Sequence, residues 1–423
     1  MKRKMLALLM VAALAGTTMT ACHDSSQKTA SKDVKETGYD VEKEIKAFKM
    51  GELNETEKDY QIEMGYFNCD HMVASIIGEK AGIYEALGLN VNVTKSAETI
   101  KALTSGAMDC GYLGINGAIK AVNEGAPFHM AAANHLGGSY YLVVSNDIQK
   151  PEDLIGKKLA IGNDADQSPD WLTWTAEMGI DPAVENYEII EMSQADAGFA
   201  MKAGQLDGFM CCDPYASLAE FEGYGHVMKM GYNAVGVSSD SDIDDWGICC
   251  IYGMSNSFKE NCPELARRLV FAHELAVKYM YEHPYNAAMM FADGFGVDPY
   301  VGLRTIYLKT VSEGRTLTWE FSEKNIEHYI EYFSQFPQIP EEDIPTVDNV
   351  HQFMSTELIE EAGLEDFQAY IKETVDPVFP LGMTFEDWYN KAKEIDDISD
   401  KEAIDIADTA TPYLNEDVKE ETK

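Results

Sequence analysis

The sequence predicts an α/β fold, in which two runs of strand–helix units are joined by two connecting strands and followed by a helical C-terminal region. In the first run, apolar and polar residues alternate over residues 60–66, as they do in a strand with one buried face. A helix then ends at Gly82, and the alternation resumes over residues 89–93. Strand, helix and strand in this order are typical of a parallel sheet, whose ligands bind at the carboxyl ends of the strands. The loop of residues 68–71 lies at such an end.

The remainder of the first run is predicted from its turn residues and apolar segments. We expect the Asp70 carboxylate to accept hydrogen bonds from the first amides of the helix that buries Val73, Ile76 and Ile77. The elements that follow are predicted in the order helix 97–105, strand 108–113, helix 118–123 and strand 128–133. Because the loops 114–117 and 134–139 follow strands, they should reach the same edge of the sheet as residues 68–71.

The second run begins after a connecting strand at 140–144 and a turn at 150–158. Ser168 and Pro169 are typical of a helix start, with serine at the cap and proline at the first helical position. The predicted order is strand 159–162, helix 168–179, strand 187–191, helix 195–203, strand 208–212, helix 215–221 and strand 226–230. A strand at 248–252 then returns to the first run, and the chain is mostly helical from Pro263.

The N-terminal segment has the pattern of an exported protein. Basic residues precede an apolar run, and small residues lead into Cys22. This arrangement resembles a bacterial lipobox, which implies cleavage before Cys22 and lipid attachment to its sulfur; the alternative is ordinary cleavage beside an incidental cysteine. The predicted segments are signal peptide 1–21, lipid-anchored flexible linker 22–58, first lobe 59–144, second lobe 145–234, return and helices of the first lobe 235–336, and acidic helical appendage 337–423.

Charge and cysteine content exclude some functions. The formal net charge of −39 leaves no basic surface to neutralise phosphates, so we expect no nucleic-acid partner. Seven cysteines remain besides Cys22, and this odd number includes two adjacent pairs. A conventional disulfide framework is therefore disfavoured, and reducing surroundings are indicated.

Six segments, in a fixed order, point to a known family. They are GEKAGIYEALGLNV, SGAMDCGYLG, AVNEGAPFHMAA, YYLVV, KPEDLIGKKLAIG and DPYASLAE. This order resembles the nitrate/sulfonate/taurine and thiamine-pyrimidine-precursor family of ABC-transporter solute-binding proteins. The resemblance implies a type II periplasmic-binding-protein fold with two βα lobes and a two-strand hinge. It also implies a monomer on the extracytoplasmic face of the membrane that binds a small solute and works with an ABC permease and its ATPase, without a cofactor and without catalysis.

The same resemblance implies which residues face the ligand, because the strand-end loops of this fold line the cleft. The predicted ligand-binding residues are Phe67, Asn68, Cys69, Asp70, His71, Gly114, Ile115, Asn116, His135, Gly137, Ser139, Asp166, Ser168, Trp171, Cys211, Cys212, Asp213 and Tyr215. Ser168 is equally interpreted as a helix cap, and Trp171 as a core residue. Carboxylates near the cleft favour a cationic, zwitterionic or hydrogen-bonding heterocyclic solute over a bare anion such as nitrate.

Two alternatives use the cysteines and histidines of the cleft. Soft donors such as Cys69, His71 and Cys212 could bind a transition metal or a metal chelate, although paired ligand spacing is missing and buried cysteine is commonly a small apolar residue. Cys249 and Cys250 are interpreted as packing residues, one on each side of their strand. The second alternative is a cysteine-dependent enzyme of the pyrimidine-synthase type, with a Cys/His pair as nucleophile and base.

Overall fold

The structure is a computed structural model that describes residues 39–67, 69–137, 140–231, 238–341, 344, 353–354 and 356–406. The signal peptide and Cys22 therefore lie outside the described residues. Ten strands are present in these ranges: β1 Gln61–Tyr66, β2 Asn90–Lys95, β3 Cys110–Gly114, β4 Phe128–Leu136, β5 Tyr140–Ser145, β6 Lys158–Ala160, β7 Glu188–Ile189, β8 Gly208–Cys211, β9 Gly225–Gly231 and β10 Ile248–Ser255.

The strands form two five-stranded sheets of similar construction. The first has the order β2-β1-β3-β10-β4, and the second has the order β7-β6-β8-β5-β9. In the first sheet β1 is parallel to β2 and β3, and β10 is antiparallel to its neighbours. In the second, β6 is parallel to β7 and β8, and β5 is antiparallel to its neighbours. The chain crosses from one sheet to the other after β4 and returns after β9, so the predicted α/β fold is confirmed.

Helices cover both sheets and form the C-terminal region. Those before the second crossing are α1 Val41–Glu44, α2 Ala74–Lys80, α3 Ile83–Ala86, α4 Thr99–Ser105, α5 Ile115–Asn123, α6 Pro169–Met178, α7 Gln194–Lys202 and α8 Tyr215–Phe221. Those after it are α9 Asn256–Asn261, α10 Pro263–Glu282, α11 Pro284–Phe295, α12 Pro299–Tyr307, α13 Glu323–Ser334, α14 Glu357–Ala362, α15 Phe367–Tyr370 and α16 Phe385–Ile395. Two π-helical segments, Leu308–Ser312 and Ile371–Val375, extend α12 and α15. Within the described ranges every helix is too short or too polar to span a lipid bilayer.

The largest core lies between the first sheet and helices α10 to α12. It also contains Phe367, Phe385 and Trp388, so the C-terminal region packs on the body through the aromatic residues that the sequence indicated. Two smaller cores cover the faces of the second sheet. The first sheet is consequently embedded in many more apolar side chains than the second.

Residues 39–58 differ from the predicted flexible linker. Ile45 and Phe48 are buried in the large core, and the Phe48 ring stacks on Phe271 with centroids 4.5 Å apart. Glu57 accepts hydrogen bonds from the backbone amides of Glu264 and Leu265, at the start of α10. The few apolar side chains of this segment pack against residues that are distant in sequence. Such contacts produce no local periodicity, so composition alone does not reveal them.

Other predictions near the strand ends also need correction. β4 continues through Asn134 and His135, which were expected in a loop, because β10 supplies pairing partners there. Ile115 and Asn116 form the first turn of α5 rather than a loop. Asp70 does not cap the following helix; its carboxylate instead lies 2.7 Å from the Lys309 ammonium.

Candidate functional site

A cavity of about 720 Å³ lies between the two sheets, where β1, β3, β4 and β8 end. Its wall includes a residue that directly follows or ends each of these strands: Phe67, Gly114, Gly137 and Cys212. Side chains from α6 and α13 complete the lining. The position agrees with the general location of ligand sites in open α/β sheets.

Several predicted ligand-binding residues border this cavity, namely Phe67, Cys69, His71, Gly114, Ile115, Asn116, Gly137, Ser168 and Cys212. Others are absent from the lining that the structure describes: Asp70, His135, Asp166, Trp171, Cys211, Asp213 and Tyr215. Asn68 and Ser139 lie outside the described residues. The sequence therefore predicted loops that border this cavity, but it did not distinguish residues on the surface of the cavity from those behind it.

The residues that do not border the cavity have structural contacts. Trp171 is buried in a core of the second sheet and donates a hydrogen bond from Nε1 to the Pro182 carbonyl. Cys211 is buried in the other core of that sheet, and Tyr215 packs against the same core. The Asp213 carboxylate accepts bonds from the amide and hydroxyl of Ser217, at 2.8 and 2.7 Å.

Sequence reasoning missed an aromatic contribution from α13. Tyr329, Tyr332 and Phe333 all border the cavity, and Tyr140 and Tyr112 add further rings. Residues three and four apart share one face of a helix, so the spacing of the α13 aromatics was a usable signal. It was missed because α13 is distant in sequence from the strand-end loops.

The charged residues of the lining are mostly acidic. Asp164, Asp170 and Asp245 border the cavity, and among the described lining residues Lys120 is the one lysine or arginine. Burial raises the pKa of Asp170 to about 6. The cavity thus offers carboxylates and aromatic faces, which suit a positively charged or amine-bearing group.

Cysteine and histidine side chains meet at one side of the cavity. The Nδ1 atom of His71 lies 3.6 Å from Cys69 Sγ, 3.8 Å from Cys249 Sγ and 3.4 Å from Cys250 Sγ. The sulfurs of Cys249 and Cys250 are 3.7 Å apart. We call these four residues the thiol–imidazole cluster. The seven cysteines within the described ranges are all free thiols.

A bulge in β10 explains why two adjacent cysteines point to the same place. Ile248 pairs with Leu136 and Cys250 pairs with His135, so Cys249 is an extra residue opposite β4. A bulge interrupts the alternation of side chains that a regular strand would impose. The prediction that Cys249 and Cys250 face opposite sides of the strand is therefore wrong, whereas both side chains do pack in or against the large core.

The His71 ring is held in a fixed orientation. It stacks on His135 with centroids 3.8 Å apart and an interplanar angle of 9°. Its Nε2 atom lies 3.5 Å from the Asp70 carboxylate, and its backbone carbonyl accepts a bond from Asn134. Burial lowers the pKa of both histidines well below the usual value, so both rings are neutral at neutral pH.

The thiols of Cys69 and Cys250 are not activated for nucleophilic attack. Burial raises the pKa of Cys69 well above its usual value, and a hydrogen bond to Cys249 together with burial does the same for Cys250. The thiolate is the reactive form of cysteine. This environment is unfavourable for the cysteine-dependent enzyme that was considered from the sequence.

A buried ion cluster lies directly behind the thiol–imidazole cluster. The Lys309 ammonium is 2.7 Å from Asp70 Oδ2 and 2.7 Å from Glu313 Oε2, and all three side chains are almost fully buried. Burial raises the pKa of Asp70 to about 7, although Lys309 opposes the shift. Sequence reasoning missed Lys309 and Glu313, whose spacing of four residues, which places opposite charges on one helix face, was the available signal.

Two hydrogen bonds connect this cluster to the second sheet. The Tyr141 hydroxyl in β5 donates to Glu313 at 3.1 Å, and the Asp70 amide donates at 2.9 Å to the carbonyl of Asp213, which follows β8. The end of the cavity near Asp70 is thus joined to both sheets.

Comparisons with known proteins agree with this geometry. A model of the NMT1-like family matches residues 55–292. The taurine-binding periplasmic protein of Escherichia coli is 28% identical over 175 residues, which are 40% of this chain and 50% of that protein. The chain thus spans about half the length of this curated relative.

Solved structures share the fold at low identity. The periplasmic nitrate-binding protein of Synechocystis PCC 6803 has a TM-score of 0.54 and 16% identity, over 80% of this chain and 98% of that one. The periplasmic aliphatic sulphonate-binding protein of Escherichia coli has a TM-score of 0.52 and 15% identity, over 70% of this chain and 92% of that one. These structures match the two-sheet architecture described above.

Proposed function

The chain belongs to the NMT1-like family, whose model covers residues 55–292, and on this premise we propose that it is the extracytoplasmic solute-binding component of an ABC importer. It would bind a small organic solute between the two sheets and deliver it to the permease, with no chemical change to the solute. The observation that carries the proposal is the cavity at the strand ends, which has space for a small molecule and combines aromatic with charged side chains.

The lining supports an amine-bearing solute rather than a bare anion. Asp164 and Asp170 lie on either side of the start of α6, where free helix amides would otherwise favour an oxyanion. Tyr329 and Tyr332 supply ring faces that attract a cation. The relative named for taurine binding is consistent with this class, because taurine carries both an ammonium and a sulfonate group.

A matched pair of ligands tests the solute class. Taurine and ethanesulfonate differ by one amino group, and calorimetry on the purified protein would measure the affinity of each, together with nitrate and an aminopyrimidine. We expect an amine-bearing compound to bind at least about tenfold more tightly than its amine-free counterpart, since a hydrogen bond to a charged group contributes about 1.5–3 kcal/mol. Equal affinity for ethanesulfonate or nitrate would contradict selection by the carboxylates.

Recovery of the bound compound separates transport from catalysis. The protein should return the solute unchanged after prolonged incubation, as measured by mass spectrometry. Accumulation of a product that disappears in a Cys69→Ala variant would instead favour the cysteine-dependent enzyme.

We also propose that lipid on Cys22 attaches the protein to the outer face of the membrane, close to the permease. The support is the basic, apolar and small-residue sequence before Cys22. The wild-type protein should incorporate a fatty-acid label in its host, and Cys22→Ala should not. Equal labelling of the two would contradict lipid attachment at this residue.

A further inference from the structure

The thiol–imidazole cluster has the composition of a metal site. Sγ of Cys249, Sγ of Cys250 and Nδ1 of His71 all lie within 4.8 Å of one another. We propose that these three atoms bind a thiophilic divalent metal ion of the Zn²⁺ class. This site goes beyond solute capture, since it requires no solute and uses residues that the family match does not assign.

The distances between the donor atoms match a tetrahedral metal site. With metal–sulfur bonds of about 2.3 Å and a metal–nitrogen bond of about 2.0 Å, the edges of a tetrahedron are roughly 3.8 Å between sulfurs and 3.6 Å between sulfur and nitrogen. The observed separations are 3.7 Å for the two sulfurs, and 3.8 and 3.4 Å from the sulfurs to Nδ1. A metal ion could therefore enter with only small movements of the side chains.

The surroundings prepare the histidine as a ligand. Nε2 of His71 is buried without a hydrogen-bond partner among the described residues and lies 3.5 Å from the Asp70 carboxylate, whose negative charge favours a proton on Nε2 and leaves the Nδ1 lone pair for a metal. Nδ1 points toward the three sulfurs of the cluster. A carboxylate behind a ligating histidine is a common second layer of metal sites.

Charge balance selects a divalent ion. Metal binding would convert the thiols of Cys249 and Cys250 to thiolates and release two protons to solvent. Two thiolates then neutralise the two charges of the ion, so no net charge is added to a buried position. Lys309, the nearest buried cation, is already paired with Asp70 and Glu313. Because two protons must leave, metal binding should be tighter at higher pH.

Three protein ligands leave the fourth coordination position of a tetrahedral metal ion open. His71, Cys249 and Cys250 all border the cavity, so a fourth donor can approach from that side. Cys69, 3.6 Å from the same Nδ1 atom, is adjacent to this position. If the proposed solute capture is correct, a solute with an amine or carboxylate donor could occupy it, but the metal site itself does not depend on that step.

Cobalt titration of the reduced, metal-free protein tests the site without any solute. We expect one equivalent of Co²⁺ to produce a thiolate-to-metal charge-transfer absorption, and one equivalent of Zn²⁺ to displace it. Cys249→Ala and Cys250→Ala should each abolish this absorption. Asp70→Asn should weaken Co²⁺ binding by about 10–100-fold, as expected for the group that orients a metal-binding histidine.

Cys110→Ala is the matched control. Cys110 is buried in β3, at the other end of its pairing with β10. There it pairs with Met254, whereas Cys250 pairs with Gly114 at the end near the cavity. This variant should retain the full absorption. Circular dichroism of each variant would exclude unfolding as the cause of a loss, and His71→Gln provides a second test if a cysteine variant does not fold. The proposal is overturned if the wild-type protein shows no charge-transfer band, or if the band survives in folded Cys249→Ala and Cys250→Ala variants.

Discussion

The two sides of the cavity are built differently. The first wall comprises Phe67, Cys69, His71, Met72 and the start of β10, and it is supported by a large core and by the Lys309 ion cluster. The second wall comprises Tyr140, Asp164, residues 167–170 and Cys212, on a sheet with two small cores. Behind the first wall the Asp70 carboxylate is paired with Lys309, whereas on the second wall burial raises the pKa of Asp170.

This difference separates two roles. A buried charge that is already paired stabilises a structure only while its partner remains, so the first wall should respond to mutation mainly through stability. A buried carboxylate that faces a cavity can be compensated by a ligand, so the second wall should respond mainly through affinity. The following predictions test this division.

The largest effect is expected for Lys309→Met. Removal of the ammonium would leave Asp70 and Glu313 as adjacent buried carboxylates, at a cost of about 3–5 kcal/mol in the free energy of unfolding. Urea denaturation would measure this loss. Lys80→Met is the control, because its partner Asp293 is solvent-exposed and such pairs contribute about 0–1 kcal/mol. Similar losses in the two variants would contradict the structural role of the first wall.

An intermediate effect, on solute affinity, is expected for Asp170→Asn. An amine-bearing solute should bind about tenfold more weakly to the variant, since a charge-assisted hydrogen bond is lost. Asp166→Asn is the control, because Asp166 belongs to the same segment but does not border the described cavity. Calorimetry that finds equal losses in both variants would remove Asp170 from the binding surface.

The stability of Asp170→Asn relative to wild type should change with pH in one direction. The Asp170 pKa of about 6 in the folded protein exceeds that of the unfolded chain, so its contribution to stability is present at low pH and is lost as pH rises through 6. Relative to wild type, Asp170→Asn should therefore gain stability as pH rises from about 4 to above 6. Solute affinity of the wild type should rise over the same interval as the carboxylate ionises, and that rise should be absent in the variant. A constant stability difference across this range would contradict the shift.

The smallest effect is expected for Ser168→Ala. Ser168 occupies the cap position of α6 without a side-chain capping bond, whereas the Ser193 side chain accepts from the Asp196 amide at the start of α7. Ser193→Ala should cost about 1 kcal/mol of stability, and Ser168→Ala less than about 0.5 kcal/mol. Thermal denaturation would compare the two. An equal loss would mean that Ser168 is a helix cap rather than a residue available to the cavity.

The sequence predicted elements well where local pattern and tertiary contacts agree. The alternation of residues 60–66 corresponds to β1, and Pro263 begins α10 because proline suits the first helical position. Prediction from the sequence failed where contacts with residues distant in the chain determine the conformation. His135 lies in β4 because β10 pairs with it, and Phe48 is ordered by Phe271.

The site was predicted at the level of loops but not of side chains. Cys69 and His71 were singled out because they follow a strand, and both border the cavity. Asp70, between them, points away from it toward Lys309, whose position depends on packing of a helix more than two hundred residues away in sequence. Neither this ion pair nor the β10 bulge has a local signature in the sequence.

The bulge in β10 has an evolutionary consequence. Beyond it, Ile251 and Tyr252 keep regular pairing with Leu113 and Tyr112 of β3, so the register with β3 is independent of the extra residue Cys249. A single-codon deletion at Cys249 would remove one sulfur from the cavity and leave the inward-facing residues beyond it in register. Homologous chains could therefore gain or lose the Cys249 sulfur through insertion or deletion of one residue. A sequence alignment without a gap at this position would then pair Cys249 with the wrong residue.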